Sequence, residues 1–272
     1  MPEGHVIHRL ANGLTDMFGG RTVQVSSPQG RFADEAALLD GTVLAGAEAY
    51  GKHLFVDFGP HRVVHIHLGL IGKLWLIEGV PTSPAGSETL RLRIARDLFS
   101  AELRGPQLCR LITDEGRAEL IVRSGDDPIR PECTGAKAWA KISRSGRSIA
   151  SLLMDQSVTA GVGNIYRAEV LFRHRINPFK EGRTISRRTW NAVWADLVVL
   201  MHDGVAEGRI DTVRDQHLPE AMGREPRVDR HGGEVYVYRR AGDPCLVCGT
   251  AVRTRVLEGR NLYWCARCQR RR

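Results

Sequence analysis

Apolar residues recur at helical spacing near the start of the chain. Val6, Ile7, Leu10, Leu14, Met17 and Phe18 fall on one face of residues 5–18. This spacing predicts an amphipathic helix, closed by Gly19-Gly20. The period then changes. Short stretches that alternate or run apolar follow at 21–27, 42–49, 53–58, 62–68, 73–78, 89–95 and 108–113, separated by Gly, Pro and Asp. Short strands at this density predict a β-sandwich or barrel. Residues 79–88, rich in Pro, Ser and Gly, read as a loop.

Residues 124–136 carry Gly, Asp, Pro and Thr and read as a linker. Beyond them the period is helical again. One helix is predicted at 147–155, another from Ile165, and a longer one at 186–202. The last places Trp190, Val193, Trp194, Leu197, Val198 and Met201 on one side. Residues 204–233 are mixed and polar, and Gly223 to Gly233 reads as a flexible loop. The expected organisation is a β-sandwich domain at 1–124, a linker at 125–136, a helical domain at 137–233 and a cysteine-bearing segment at 234–272.

Composition adds a partner class. The chain has 272 residues, of which 42% are hydrophobic, so it can bury a real core. No apolar run reaches membrane-spanning length, and the start lacks a charged-then-apolar leader pattern. A cytoplasmic protein with no membrane partner is expected. Lys and Arg exceed Asp and Glu by 39 to 31, a formal charge of +8. Such a surplus favours a polyanion, because neutralised phosphates release counterions; a solubility charge is the plainer alternative.

Four of the six cysteines form two pairs, Cys245-x-x-Cys248 and Cys265-x-x-Cys268, separated by 16 residues. This spacing suits one structural Zn²⁺ held by four thiolates. The V-R-T-R-V and N-L-Y-W segments between the pairs read as a hairpin turning at Gly259, with Arg260 at its tip. Cys109 and Cys133 stand alone and read as small buried residues.

Two further stretches carry candidate chemistry. Removal of Met1 would leave Pro2 as a secondary amine. An α-amino group titrates near ~8 against ~10.4 for lysine, so more of it is neutral and nucleophilic at pH 7. Glu3 beside it could move protons. A disordered terminus is the bland alternative. In G-V-G-N-I-Y at 161–166, Asn164 opens a helix, where it would either cap it or point its amide outward at an anion.

Together these stretches resemble the formamidopyrimidine-DNA glycosylase / endonuclease VIII family. The resemblance rests on M-P-E-G-H at 1–5, Y-G-K-H-L at 50–54 and H-L-G-L-I-G at 67–72. It continues through L-L-M-D-Q-S-V-T-A-G-V-G-N-I-Y-R-A-E at 152–169, V-Y-R-R-A-G-D-P-C at 237–245 and G-R-N-L-Y-W-C-A-R-C-Q at 259–269. The motifs occur in family order along nearly the whole chain. The first looks closer to the endonuclease VIII side, in its actinobacterial form.

The resemblance implies an α+β multidomain fold: an N-terminal β-sandwich with flanking helices, then a helix–two-turn–helix domain with a zinc-finger hairpin. It implies a bifunctional glycosylase and abasic-site lyase acting as a monomer on double-stranded DNA with oxidised bases or abasic sites, pyrimidines favoured. Pro2 would attack C1′ of the damaged nucleotide and Glu3 would be the general acid. Lys52 would contact the lesion phosphate, Asn164 would grip backbone phosphates, and Arg260 would bind phosphates and assist δ-elimination. Leu70, with Arg104, would fill the vacated base stack. Pro106 stands where the family pattern has an aromatic, so a full three-residue wedge is not expected. His67 reads as structural. The rival reading is a catalytically silent or lyase-only zinc-finger protein that binds damaged DNA.

Overall fold

The structure is a computed structural model that describes residues 2–79, 88–228 and 233–270. Its chain separates into two compact units, Met1–Arg123 and Ser124–Arg272.

The first unit opens with α1 (Gly4–Phe18), whose Ile7, Ala11, Leu14 and Phe18 are buried at the spacing of a helix stripe. Among the described residues ten strands follow: β1 (Arg21–Thr22), β2 (Gln24–Ser26), β3 (Val43–Leu44), β4 (Gly46–Tyr50), β5 (His53–Asp57), β6 (Val63–His67), β7 (Lys73–Glu78), β8 (Leu90–Arg96), β9 (Phe99–Arg104) and β10 (Leu108–Ile112). They form two four-stranded antiparallel sheets, ordered β10-β6-β5-β4 and β2-β8-β9-β7, with β1 paired to β3 apart from both. Leu54, Val56, Val64 and Ile66 from one sheet share a core with Leu92, Ile94, Ala101 and Leu103 from the other, and with the stripe of α1. Each fully buried aliphatic side chain of this kind contributes about 1.5–3 kcal/mol. This is the expected sandwich, with α1 packed on strands of both sheets.

Three elements of this unit were not predicted. Helix α2 (Ala33–Leu39) is short, and α3 (Asp114–Arg123) buries no residue fully. Strand β9 has buried Ser100 and Glu102 where an apolar pattern would be sought. Of the loop predicted at 79–88, residues 80–87 lie outside the described residues.

The second unit contains α4 (Ala136–Ile142), α5 (Ile149–Met154), α6 (Asn164–Arg173), α7 (Arg187–Glu207) and a hairpin of β11 (Arg253–Leu257) and β12 (Arg260–Trp264). Ser186 caps α7 by accepting the Thr189 N–H at 3.1 Å, and Gly208 closes it at φ 75°. The helix therefore outlasts the predicted 186–202. The stretch predicted as a linker, 125–136, is packed into this unit. Ser124, Asp126, Asp127 and Ile129 are buried, and Asp126 accepts the Ala138 N–H of α4 at 3.0 Å. Its polar residues cap and turn buried backbone; they do not solvate a tether.

Within the loop predicted at 223–233, residues 229–232 lie outside the described residues. The part before them is tied down, because Glu234 accepts the Arg227 N–H at 2.6 Å and pairs with Arg224. Among the described residues, no helix is long and apolar enough to cross a membrane.

Candidate functional site

The start of the chain is held by the helix behind it. Pro2 is half-buried, and Glu3 is the extended residue before α1, with φ −108° and ψ 175°. Its side chain is only 1% exposed, and its carbonyl accepts the Val6 N–H at 3.0 Å. A carboxyl group in this position has a defined place relative to Pro2, as a proton donor needs. His5 follows, also buried. Burial, and then the neighbouring His8, push its pKa down to about 4, so it is neutral near pH 7.

Lys52 sits in the two-residue turn between β4 and β5, where Tyr50 pairs with His53. Gly51 takes φ 59°, the left-handed value that such a hairpin asks of its first turn residue. Behind the lysine lies a bed of three histidines. His53 Nδ1 is 2.9 Å from His65 Nε2, and the His53 ring lies 5.5 Å from that of His67. Burial, with nearby His67 and Arg110, lowers His53 to about 4. Burial, with His53 and Arg110, lowers His65 to about 3. His67 is lowered by burial and then by the charge of Lys52 itself. The bed is therefore neutral near pH 7, and the positive charge beside it comes from Lys52 and Arg110. Sequence reading singled out only His67. Strand alternation could have found the rest, because the β5–β6 register sets Phe55 opposite His65 and so aligns His53, His65 and His67 on one face.

Leu70 is 57% exposed and its neighbour Ile71 is 81% exposed, in the turn between β6 and β7. The turn is rigid. Gly69, at φ 70°, donates its N–H to His67 Nδ1 at 3.2 Å, and Gly72 has no room for a Cβ against Leu68 and Pro106. A displayed pair of aliphatic side chains on a stiff turn suits insertion between bases. Ile71 was not anticipated. Arg104 lies at the end of β9, 18% exposed, and binds the buried Glu102 at 2.9 Å.

In the second unit, Asn164 is the first residue of α6 and is 6% exposed. Its Nδ2 donates to the Asn261 carbonyl at 2.9 Å, and its Oδ1 accepts from the buried Arg167. The amide thus ties α6 to the hairpin, beside Arg260. Arg260 faces Leu257 across the turn Glu258-Gly259, whose φ values of 48° and 73° are both left-handed. Glu169 of α6 braces the next segment. It accepts the N–H groups of Tyr236, Val237 and Tyr238 at 2.7, 2.9 and 2.8 Å, and the Thr212 hydroxyl at 2.6 Å. Of the predicted site residues, Pro2, Glu3, Lys52, Leu70 and Arg104 belong to the first unit, and Asn164, Arg260 and the cysteines to the second.

Cys245, Cys248, Cys265 and Cys268 bring their sulfurs within 4.8 Å of one another. Cys245 and Cys268 are 3.9 Å apart, and Cys248 and Cys265 are 3.5 Å apart. A tetrahedron of Zn–S bonds of ~2.3 Å has edges of ~3.8 Å, so the donor set fits zinc. Burial raises Cys245 to about 11, so a bound cation is what makes this thiol a thiolate. Gln269 locks the knuckle in place, accepting the Cys265 N–H at 2.9 Å and donating to the Ile176 carbonyl at 2.9 Å.

Comparison with known proteins places the chain. Residues 1–107 match the formamidopyrimidine-DNA glycosylase N-terminal domain, 124–215 the formamidopyrimidine-DNA glycosylase H2TH domain, and 242–271 the zinc finger found in FPG and IleRS. The chain is 48% identical to endonuclease 8 1 of Mycobacterium bovis, covering 99% of this chain and 100% of that protein. It is 32% identical to the formamidopyrimidine-DNA glycosylase of Syntrophotalea carbinolica, again over 99% and 100% of the two chains. Among solved structures, the Thermus thermophilus MutM (Fpg) protein matches with a TM-score of 0.75 at 26% identity, covering 98% of each chain. A Lactococcus lactis Fpg in complex with DNA containing an abasic site matches with a TM-score of 0.79 at 20% identity, covering 99% of this chain and 100% of that one.

Proposed function

Because the chain belongs to the formamidopyrimidine-DNA glycosylase / endonuclease VIII family of DNA repair glycosylases, we propose that it excises oxidised bases and cleaves the resulting abasic site through a Schiff base at Pro2. The observation that carries this reading is the Glu3 side chain, 1% exposed and fixed between Pro2 and α1.

The chemistry follows from the groups present. With Met1 removed, the Pro2 nitrogen attacks C1′ with its lone pair. Glu3 supplies the proton that lets the sugar open and the base leave. The resulting iminium draws electrons from C2′, so a proton is lost there and the 3′ phosphate departs by β-elimination. A second elimination releases the 5′ phosphate and leaves a one-nucleotide gap. Lys52, on its neutral histidine bed, meets the lesion phosphate. Arg260, on the turn that Asn164 braces, meets flanking phosphates and assists the second elimination. The target nucleotide must leave the stack, which costs a few kcal/mol. Leu70 and Ile71 supply the apolar surface that fills the gap. The zinc holds the hairpin and takes no part in bond making.

Oxidised pyrimidines are the proposed first substrate class, supported by similarity to endonuclease 8 relatives. The protein would act as a monomer in the bacterial cytoplasm. Borohydride trapping tests the reading, with one labelled duplex carrying an abasic site and another an oxidised pyrimidine. Trapping on both, and a phosphorylated gap when borohydride is omitted, is the expected result. Trapping on the abasic duplex alone would leave a lyase. No trapping on either, with Met1 shown by mass spectrometry to be absent, would leave a silent DNA-binding protein.

A further inference from the structure

The fingertip carries a carboxylate where a DNA-gripping turn should avoid one. Glu258 stands directly before Gly259 and Arg260, at φ 48°. A glutamate gains nothing from that left-handed backbone, where Asn or Gly is at ease, and its charge repels a polyanion. Its side chain is 53% exposed and reaches Arg147 Nη2 at 3.5 Å.

Arg147, in turn, is aimed. Its Nη1 binds Asp155 at 2.7 Å, and Asp155 is itself fixed by the backbone N–H of Ser157 at 3.0 Å and the Ser157 hydroxyl at 2.7 Å. One arm of the guanidinium fork is therefore anchored, and the other points at Glu258. Together with Arg167 and Arg260, these groups line a cleft of about 210 Å³. A guanidinium with one anchored arm is pre-organised for a second oxyanion. The contact to Glu258 is long and half in water, the weak end of the range for ion pairs. It is the bond that a stronger anion would displace.

We propose that Arg147 binds a DNA backbone phosphate and that Glu258 occupies its outer arm in the free protein as an internal substitute for that phosphate. The inference rests on the reading of this unit as DNA-gripping and extends its contacts to a residue outside the family motifs. Binding exchanges one ion pair for another: Arg147 releases the Glu258 carboxylate and takes the phosphate. Glu258 thereby sets a threshold that only a well-seated backbone phosphate crosses, which weakens casual binding to undamaged DNA.

Affinity for an undamaged duplex, measured as a function of salt, provides the test. Glu258→Gln should tighten binding roughly three- to tenfold at moderate salt and steepen the logarithmic salt slope by about one, because Arg147 then releases an additional counterion on binding. Arg147→Gln should weaken binding by a similar factor. In the double variant, most of the gain from Glu258→Gln should vanish, because it acts through Arg147. An unchanged affinity in Glu258→Gln would overturn the proposal. So would an equal gain with and without Arg147, which would reduce Glu258 to a long-range charge. Zinc content and melting temperature check the fold of each variant. Should Arg147→Gln fail that check, Arg147→Lys, which keeps charge but loses the fork, completes the cycle. A protein that binds as stated yet traps no Schiff base would refute the proposed chemistry and leave this inference standing.

Discussion

The two units fix their functional groups by opposite means. In the first, the groups around Pro2 and Lys52 are withdrawn from water: Glu3 is buried, and His5, His53 and His65, pushed far below their ordinary pKa by burial, are neutral near pH 7. In the second, charge is kept and met by charge. Arg173 forms a two-pronged pair with Asp196 at 2.7 Å, Arg147 binds Asp155, and Glu169 collects three backbone N–H groups. The difference suits the proposed tasks. A nucleophilic amine and its acid need a desolvated, low-charge setting so that proton transfer is not lost to water. A phosphate grip needs cations that remain charged at every working pH and are already oriented. On the proposed reading, the attack on the sugar belongs to the first unit and most of the grip on the backbone to the second.

The largest test removes the chemistry and spares the grip. Glu3→Gln should lower base excision roughly 10²–10⁴-fold, the usual worth of a positioned acid, with binding to an abasic-analogue duplex retained. Undiminished excision of an oxidised pyrimidine would refute the role of Glu3. The converse is Cys265→Ser or exhaustive chelation. Structural zinc contributes ~10–16 kcal/mol in isolated fingers, so the knuckle and the Arg260 turn should come apart. DNA binding should fall while the first unit keeps its thermal transition; unchanged binding in metal-free protein would count against the hairpin as a grip.

Acid should separate the units next. His5, His53 and His65 have folded pKa values of about 4, 4 and 3 against an ordinary value of 6.5. Between those limits the unfolded chain binds more protons, so stability of the first unit falls as pH drops through that window. Asp196, lowered to about 2 from 3.8 despite its burial by Arg173 and His174, loses its contribution only below 3.8. Denaturant melts of each unit at pH 7 and pH 5 should show the first weakened and this pair in the second intact. The smallest effect on stability is expected at Leu70. Being exposed, Leu70→Ala should move stability by no more than about 0.5 kcal/mol, yet slow excision from duplex DNA more than cleavage at a single-stranded abasic site. Equal slowing on both would remove it from the wedge.

Much of the fold was legible because local pattern and tertiary need agreed. The stripe of α1, the alternation of most strands and the spacing of four cysteines each carry their own physical signature within a short window. Helix α3 carries none, since no residue of it is fully buried. Arg117, paired with Asp114 inside the helix at 2.8 Å, ties it to Glu48 of β4 and Asp57 of β5 at 3.1 and 3.4 Å. Strand β9 was missed for a related reason. Its buried Glu102 breaks the apolar alternation and is tolerated because Arg104 and Arg93 reach it.

The same line divides the candidate site. Pro2, Glu3 and the cysteines stand out by residue type and close spacing, because reactivity and metal affinity reside there; Lys52 and the role of Arg260 enter only through the family resemblance. Their settings were not legible in the chain. The Asn164 amide donates to the Asn261 carbonyl, 97 positions away, Arg104 pairs with Glu102, and three histidines from two strands form one neutral bed near Lys52. Which atom a polar side chain faces depends on partners brought near only by packing. Residue type and local period suffice to point to the chemistry proposed for the chain; folding decides which partners its polar groups meet.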